Sequence, residues 1–178
     1  VEIVDSLTNP IGIYKNIGLN NSTMENIVPI GYTSFLSVPF RNNQILIDNV
    51  KKFIDKKNIK INNKNFQILY LIKELGWIRF NENKFFVLAA NNESTLDSLL
   101  NLKTLHNKKY RNSLYHKLNK SEQLKTLSTI LSSEVDASWL TKISNFYILT
   151  ESERSVKEII NNSKAVSYTH LTLPTTSS

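Results

Sequence analysis

Chain-breaking residues set the first constraint on this fold. Pro10, Pro29 and Pro39, with Gly12, Gly18 and Gly31, all fall before residue 40; from there to residue 165 the only Pro or Gly is Gly76. A chain so divided predicts an irregular, strand-and-turn opening over residues 1–40 and long uninterrupted elements after it. No internal repeat is visible in the sequence.

Spacing then assigns the elements. Ser34, Phe35, Leu36, Ser37 and Val38 read as a short strand that the neighbouring prolines confine to a sheet edge. Asn42 or Asn43 caps a helix to about Lys57 that places Ile47, Val50, Phe53 and Ile54 on one face. Phe66, Leu69, Ile72 and Leu75 continue at helical spacing, and Gly76 is placed to end that helix in a left-handed conformation. Residues 77–80 and 85–88 pair as a hairpin, because aromatic and β-branched residues flank an Asn-rich turn. Beyond it the spacing predicts helices around Leu96, Leu99 and Leu100; Tyr110, Leu114 and Leu118; Leu124, Leu127, Ile130 and Leu131; and Trp139, Leu140 and Ile143, the last capped by Asp136. A strand at residues 146–149 leads into a closing helix with Val156, Ile159 and Ile160 inward. The expected class is mainly α with minor β: a helix–helix–hairpin subdomain over residues 41–90 and a helical one over residues 91–165.

The order helix, short helix, strand, helix over residues 121–160 resembles part of a winged-helix DNA-binding domain. The resemblance rests on Tyr147, Leu149 and Thr150 running into a helix with Arg154, although Glu153 stands where that family usually places Gly. It implies DNA binding through a helical, winged-helix-like unit.

Charge points the same way. The formal net charge is +7, which favours anionic partners. Between Asp97 and Glu122 there is no acidic residue, while Lys103, Lys108, Lys109, Arg111, Lys117 and Lys120 occur among Tyr110, Tyr115, His106 and His116. Cations neutralise phosphates and tyrosines stack on unpaired bases, so these six residues are the candidate nucleic-acid contacts. A second group, Lys51, Lys52, Lys56, Lys57, Lys60 and Lys64, reads as a solvated face.

Signals for chemistry are poor. The chain has no Cys, which removes disulfides, thiolate zinc sites and cysteine nucleophiles and suits a cytoplasmic location. Gly12, Ile13 and Tyr14 match the first half of the GIY-YIG nuclease signature, but the second half does not follow. Glu82 and Lys84 have the Glu-x-Lys spacing of metal-dependent nucleases, yet they fall on a turn. Glu134, Asp136, Glu151 and Glu153 could gather at a cation, but two of them serve better as helix caps. No phosphate-binding glycine loop exists, so no cofactor is expected. No stretch approaches the ~18 apolar residues of a membrane helix, so no membrane partner is expected.

Residues 166–175 lack the Asn, Lys and Ile that dominate the rest of the chain. They resemble the translation of the mosaic-end adapter used in transposase-based sequencing libraries, and residues 166–178 are expected to be a foreign, structurally idle tail. The functional expectation is a DNA-binding accessory region of a larger bacterial or phage-type protein. The alternatives are a helical scaffold that contacts another protein, or a non-catalytic fragment of a nuclease.

Overall fold

The computed structural model describes residues 10–102, 105–119, 122–131 and 137–163. It corrects the expected class. The chain is organised around one antiparallel sheet of seven strands: β1 (Ser34–Pro39), β2 (Ile72–Phe80), β3 (Asn83–Ala90), β4 (Asn107–Tyr110), β5 (Ser113–Lys117), β6 (Trp139–Ile143) and β7 (Phe146–Thr150), in spatial order β1-β2-β3-β7-β6-β5-β4. The helices are α1 (Asn43–Lys56), the single turn α2 (Gln67–Tyr70), α3 (Glu93–Leu99), α4 (Glu122–Leu131) and α5 (Glu153–Asn162). Three 3-10 turns, Pro10–Tyr14, Met24–Asn26 and Asn63–Phe66, complete the described elements.

The sheet separates two apolar layers. On one face Leu75, Phe86, Leu88, Leu140, Tyr147 and Leu149 meet the buried sides of α1, α3 and α4. On the other Ile78, Phe85, Val87, Ile143, Phe146 and Ile148 meet Met24, Ile27 and the Val156, Ile159 and Ile160 stripe of α5. Central strands covered on both faces cannot alternate apolar with polar, and β7 is buried at every position.

A structural repeat underlies this order. β1-α1-β2-β3 and β5-α4-β6-β7 are each a strand, a crossing helix and a hairpin, and the strand order of one half mirrors the other. The halves join where Val87 pairs with Ile148 and Phe86 with Leu149. About that junction Phe85 corresponds to Phe146, Phe86 to Tyr147, Val87 to Ile148 and Leu88 to Leu149. Each such pair enters the same apolar layer.

Several predicted elements therefore change type. Residues 72–75 begin β2, and Gly76 lies within that strand opposite Ser37 instead of closing a helix at positive φ. The predicted helix at Tyr110, Leu114 and Leu118 is the β4–β5 hairpin, and the one at Trp139, Leu140 and Ile143 is β6. The stretch that resembles a winged helix supplies α4, two strands of the larger sheet and α5. α1 and its Asn42 cap, the edge strand β1, the β2–β3 hairpin, α3, β7 and α5 form where expected, with the hairpin turn tightened to Asn81 and Glu82. Glu134, Asp136 and residues 166–178 lie outside the described residues.

Gly76 has a steric role. A Cβ there would sit 2.0 Å from the Leu36 carbonyl oxygen and 2.8 Å from the Met24 methyl carbon. Beside it, the buried carboxylate of Glu74 accepts hydrogen bonds from the Ser22, Thr23 and Ser37 hydroxyls and from the Thr23 and Met24 amides. Those bonds tie the N-terminal segment to β1 and β2.

Two predictions follow from this corner. Gly76→Ala is expected to lower unfolding free energy by about 1–3 kcal/mol in a denaturant titration, because the β1 backbone must shift to admit the methyl. Burial alone would raise the Glu74 pKa, but the hydroxyl and amide donors outweigh it and hold the carboxyl below its usual value near 4.5. A carboxyl whose folded pKa is depressed stabilises the fold above its unfolded pKa and loses that contribution as pH falls through the folded value. Urea titrations are therefore expected to show stability falling below about pH 4.5, with a shallower fall in Glu74→Gln.

Candidate nucleic-acid interface

The four predicted contact residues that are described, Lys108, Lys109, Arg111 and Lys117, sit on the β4–β5 hairpin at one edge of the sheet. Lys108 and Lys109 are consecutive on β4, so the two-residue period sends them to opposite faces. Lys108 is opposite Tyr115 and lies 2.8 Å from the Glu153 carboxylate and 5.3 Å from the Trp139 ring centre. The same carboxylate accepts from the Tyr115 hydroxyl at 2.7 Å and meets Lys157 at 3.2 Å. The Lys108 and Tyr115 donors pull the Glu153 pKa down to about 2. Lys109 is paired with the exposed Leu114 on the other face. Arg111 occupies the hairpin turn at φ 52° with its guanidinium over the Tyr110 ring. Lys117 is exposed near the far end of β5. Lys103 and Lys120 lie outside the described residues. The hairpin thus divides its described cations between two faces and a tip.

The second lysine group converges. α1 turns Leu46, Ile47, Val50, Phe53 and Ile54 into the core, which leaves Lys52 and Lys56 exposed and Lys51 half-buried along its outer surface. On one flank Asn49 donates to the carbonyls of Ile13 and Lys15, fastening the first 3-10 turn beside α1. A groove of about 390 Å³ runs there, lined by Lys15, Asn16, Asp48, Asn49 and Lys52 among others. On the other flank the chain reverses at Asn58, φ 54°. A second groove of about 470 Å³ is lined there by Lys51, Asp55, Lys60, Asn62, Asn63 and Phe66 among others. Lys51 stands 5.4 Å over the Phe66 ring. The helix thus has Lys15 and Lys52 with Asp48 in the groove on one flank, and Lys51 and Lys60 with Asp55 in the groove on the other. Lys51, Lys52 and Lys60 were legible as a run, whereas Lys15 joins them only through the Asn49 bonds.

A further polar cluster lies on β6, β7 and α3. Lys142 on β6 reaches Glu93 at 2.8 Å and Asp97 at 3.3 Å, and the Tyr147 hydroxyl donates to Asp97 at 2.5 Å. Burial lowers the Lys142 pKa, but its bond to Glu93 and its other partners outweigh that and raise it; burial and the Asp97 bond raise Tyr147. Both groups hold their protons at neutral pH, so neither is a base, and the cluster clamps α3 to the sheet. Glu82 sits in the β2–β3 turn, and the strand beside β2 on its outer side, β1, carries no acid to complete a nuclease site. No group of His, Asp and Glu among the described residues could hold a metal ion.

No family model, curated protein or solved structure matches the chain.

The unequal engagement of the hairpin lysines has a chemical readout. Under limiting amine-reactive ester, Lys108 is expected to be modified several-fold more slowly than Lys109, as quantified by peptide mass spectrometry. Equal rates would mean that the Glu153 contact does not persist in solution.

Proposed function

We propose that this chain binds DNA through the sugar–phosphate backbone, as an accessory part of a larger bacterial or phage-type protein acting in the cytoplasm. The observation that carries this reading is the convergence of lysines from separate segments on the two grooves flanking α1. A helix of 14 residues is ~21 Å long and spans about six phosphates of one strand at 3.4 Å each. Ammonium groups on flexible stems suit phosphates as point charges, and exposed Asn63 adds amide donors. Backbone contact of this kind positions a protein on DNA without selecting sequence. The net charge of +7 supports the same partner. Among the described residues no helix is long and apolar enough to cross a membrane.

Fluorescence anisotropy with a labelled duplex across a salt series tests the proposal. With about four phosphates neutralised, log K is expected to fall against log salt with a slope near −4. Changing Lys51, Lys52 and Lys60 together to Ala should weaken binding equally on unrelated sequences and flatten the slope by about two to three units. The matching change at Lys108, Lys109 and Arg111 should flatten it by less than about one unit. The reverse ranking would move the interface to the β4–β5 hairpin. Absence of binding at low salt would favour a protein scaffold.

A further inference from the structure

The two edges of the sheet are treated differently. β4 is four residues long, carries Lys108 and Lys109 and turns at Arg111, the charged, short edge that discourages pairing with another chain. β1 (Ser34–Pro39) carries no charge along its length; Pro39 and the pairing of Leu19 with Phe40 protect its far end, which leaves residues 34–37 as the unprotected stretch. Phe35 and Leu36 are 37% and 36% exposed on opposite faces. Ile30 and Tyr32 stand close by in the chain, exposed by 79% and 42%, and the Tyr32 and Phe35 rings meet edge-on with centres 5.3 Å apart.

The backbone of β1 is poised as well. The Phe40 amide donates to the Lys73 carbonyl, and by the alternation of an antiparallel ladder Val38 and Leu36 also bond toward β2. The Leu36 carbonyl points at Gly76 accordingly. The N–H and C=O groups of Phe35 and Ser37 therefore point away from the sheet.

We infer that β1 is a strand-addition site for an extended peptide of alternating apolar and acidic residues from a partner protein. Backbone groups of Phe35 and Ser37 supply the ladder. Phe35 with Tyr32 on one face, and Leu36 with half-buried Trp77 on the other, receive the apolar side chains. Charge selects the acidic ones. No acid occurs between Glu25 and Asp48, Arg79 is opposite Ser34, whose small side chain leaves it reachable from the edge, and exposed Arg41 follows the other end of β1. A second copy of this chain would bring like charges together at both ends, which disfavours self-pairing.

Amide-resolved NMR on the full chain tests the inference, with an acetylated, amidated peptide of alternating valine and glutamate and its valine–lysine counterpart as probes. The glutamate peptide is expected to shift the Phe35 and Ser37 amides and slow their exchange at least about fivefold, while the lysine peptide leaves them unmoved. Phe35→Pro removes an outward donor from an edge strand, where proline is tolerated, and should abolish the Ser37 shift. Leu36→Lys keeps both outward donors, adds an edge charge and should weaken the response at least about tenfold. Equal responses to both peptides, responses at β4 instead, or no response at millimolar peptide would each overturn the inference. So would Phe35 and Ser37 shifts that follow protein concentration alone, the mark of self-pairing, or shifts produced by duplex DNA.

Discussion

The pairing of β3 with β7 is the contact on which the rest depends. Each half of the repeat is a three-stranded unit whose inner strand is apolar on both faces. Exposed singly, β3 or β7 would present unpaired backbone and two apolar surfaces to water. Pairing Phe86 with Leu149 and Val87 with Ile148 satisfies that backbone and merges two partial cores into two continuous layers. The partners lie about sixty residues apart in sequence, so the sheet closes only after much of the chain is assembled. With the inner edges consumed, β1 and β4 are the edges left among the described residues.

Charged groups, one of them buried, serve this assembly. Glu74 gathers the N-terminal segment, Lys142 and Asp97 clamp α3, and Glu153 ties the β4–β5 hairpin to α5. Each of these groups meets several donors or an opposite charge, and for the buried Glu74 those donors offset the cost of removing it from water. A carboxylate saturated by hydroxyls and amides has little capacity left to move protons, and a lysine and a tyrosine with raised pKa values keep theirs. These groups therefore act as ties between elements of the fold.

Local signals were legible and sheet membership was not. The Asn42 cap, the inward stripe of α1 and the aromatic hairpin at residues 77–88 each depend on neighbours within a few residues, and each formed as expected. Residues 72–75 and 139–143 have apolar positions compatible with either a helix or a fully buried strand, and only pairing with distant strands decides between them. The repeat was hidden because its halves share layer membership at each position more than residue identity. The lysine run at residues 103–120 looked like one surface in sequence. A strand splits what a helix would have gathered, since consecutive residues such as Lys108 and Lys109 face opposite ways. Lys15 was invisible as part of the α1 surface because nothing local links it to Lys52.

Where the lysines are absent is as informative as where they are. A coding bias toward Lys would place it at exposed positions throughout the surface, edge strands included. β4 follows that expectation and gains protection from pairing as a result. β1, equally at the edge, shows Phe35 and Leu36 to solvent and no charge along its length. Two exposed apolar residues on an uncharged edge are an aggregation liability that charged side chains normally suppress. Keeping that edge apolar while lysines accumulate beside α1 separates the surface into two kinds of site. On the proposed reading the first, around α1, meets a phosphate backbone, whose attraction is ionic and indifferent to sequence. The second, along β1, offers a hydrogen-bonding register and side-chain contacts on alternate faces, which only a polypeptide strand can match.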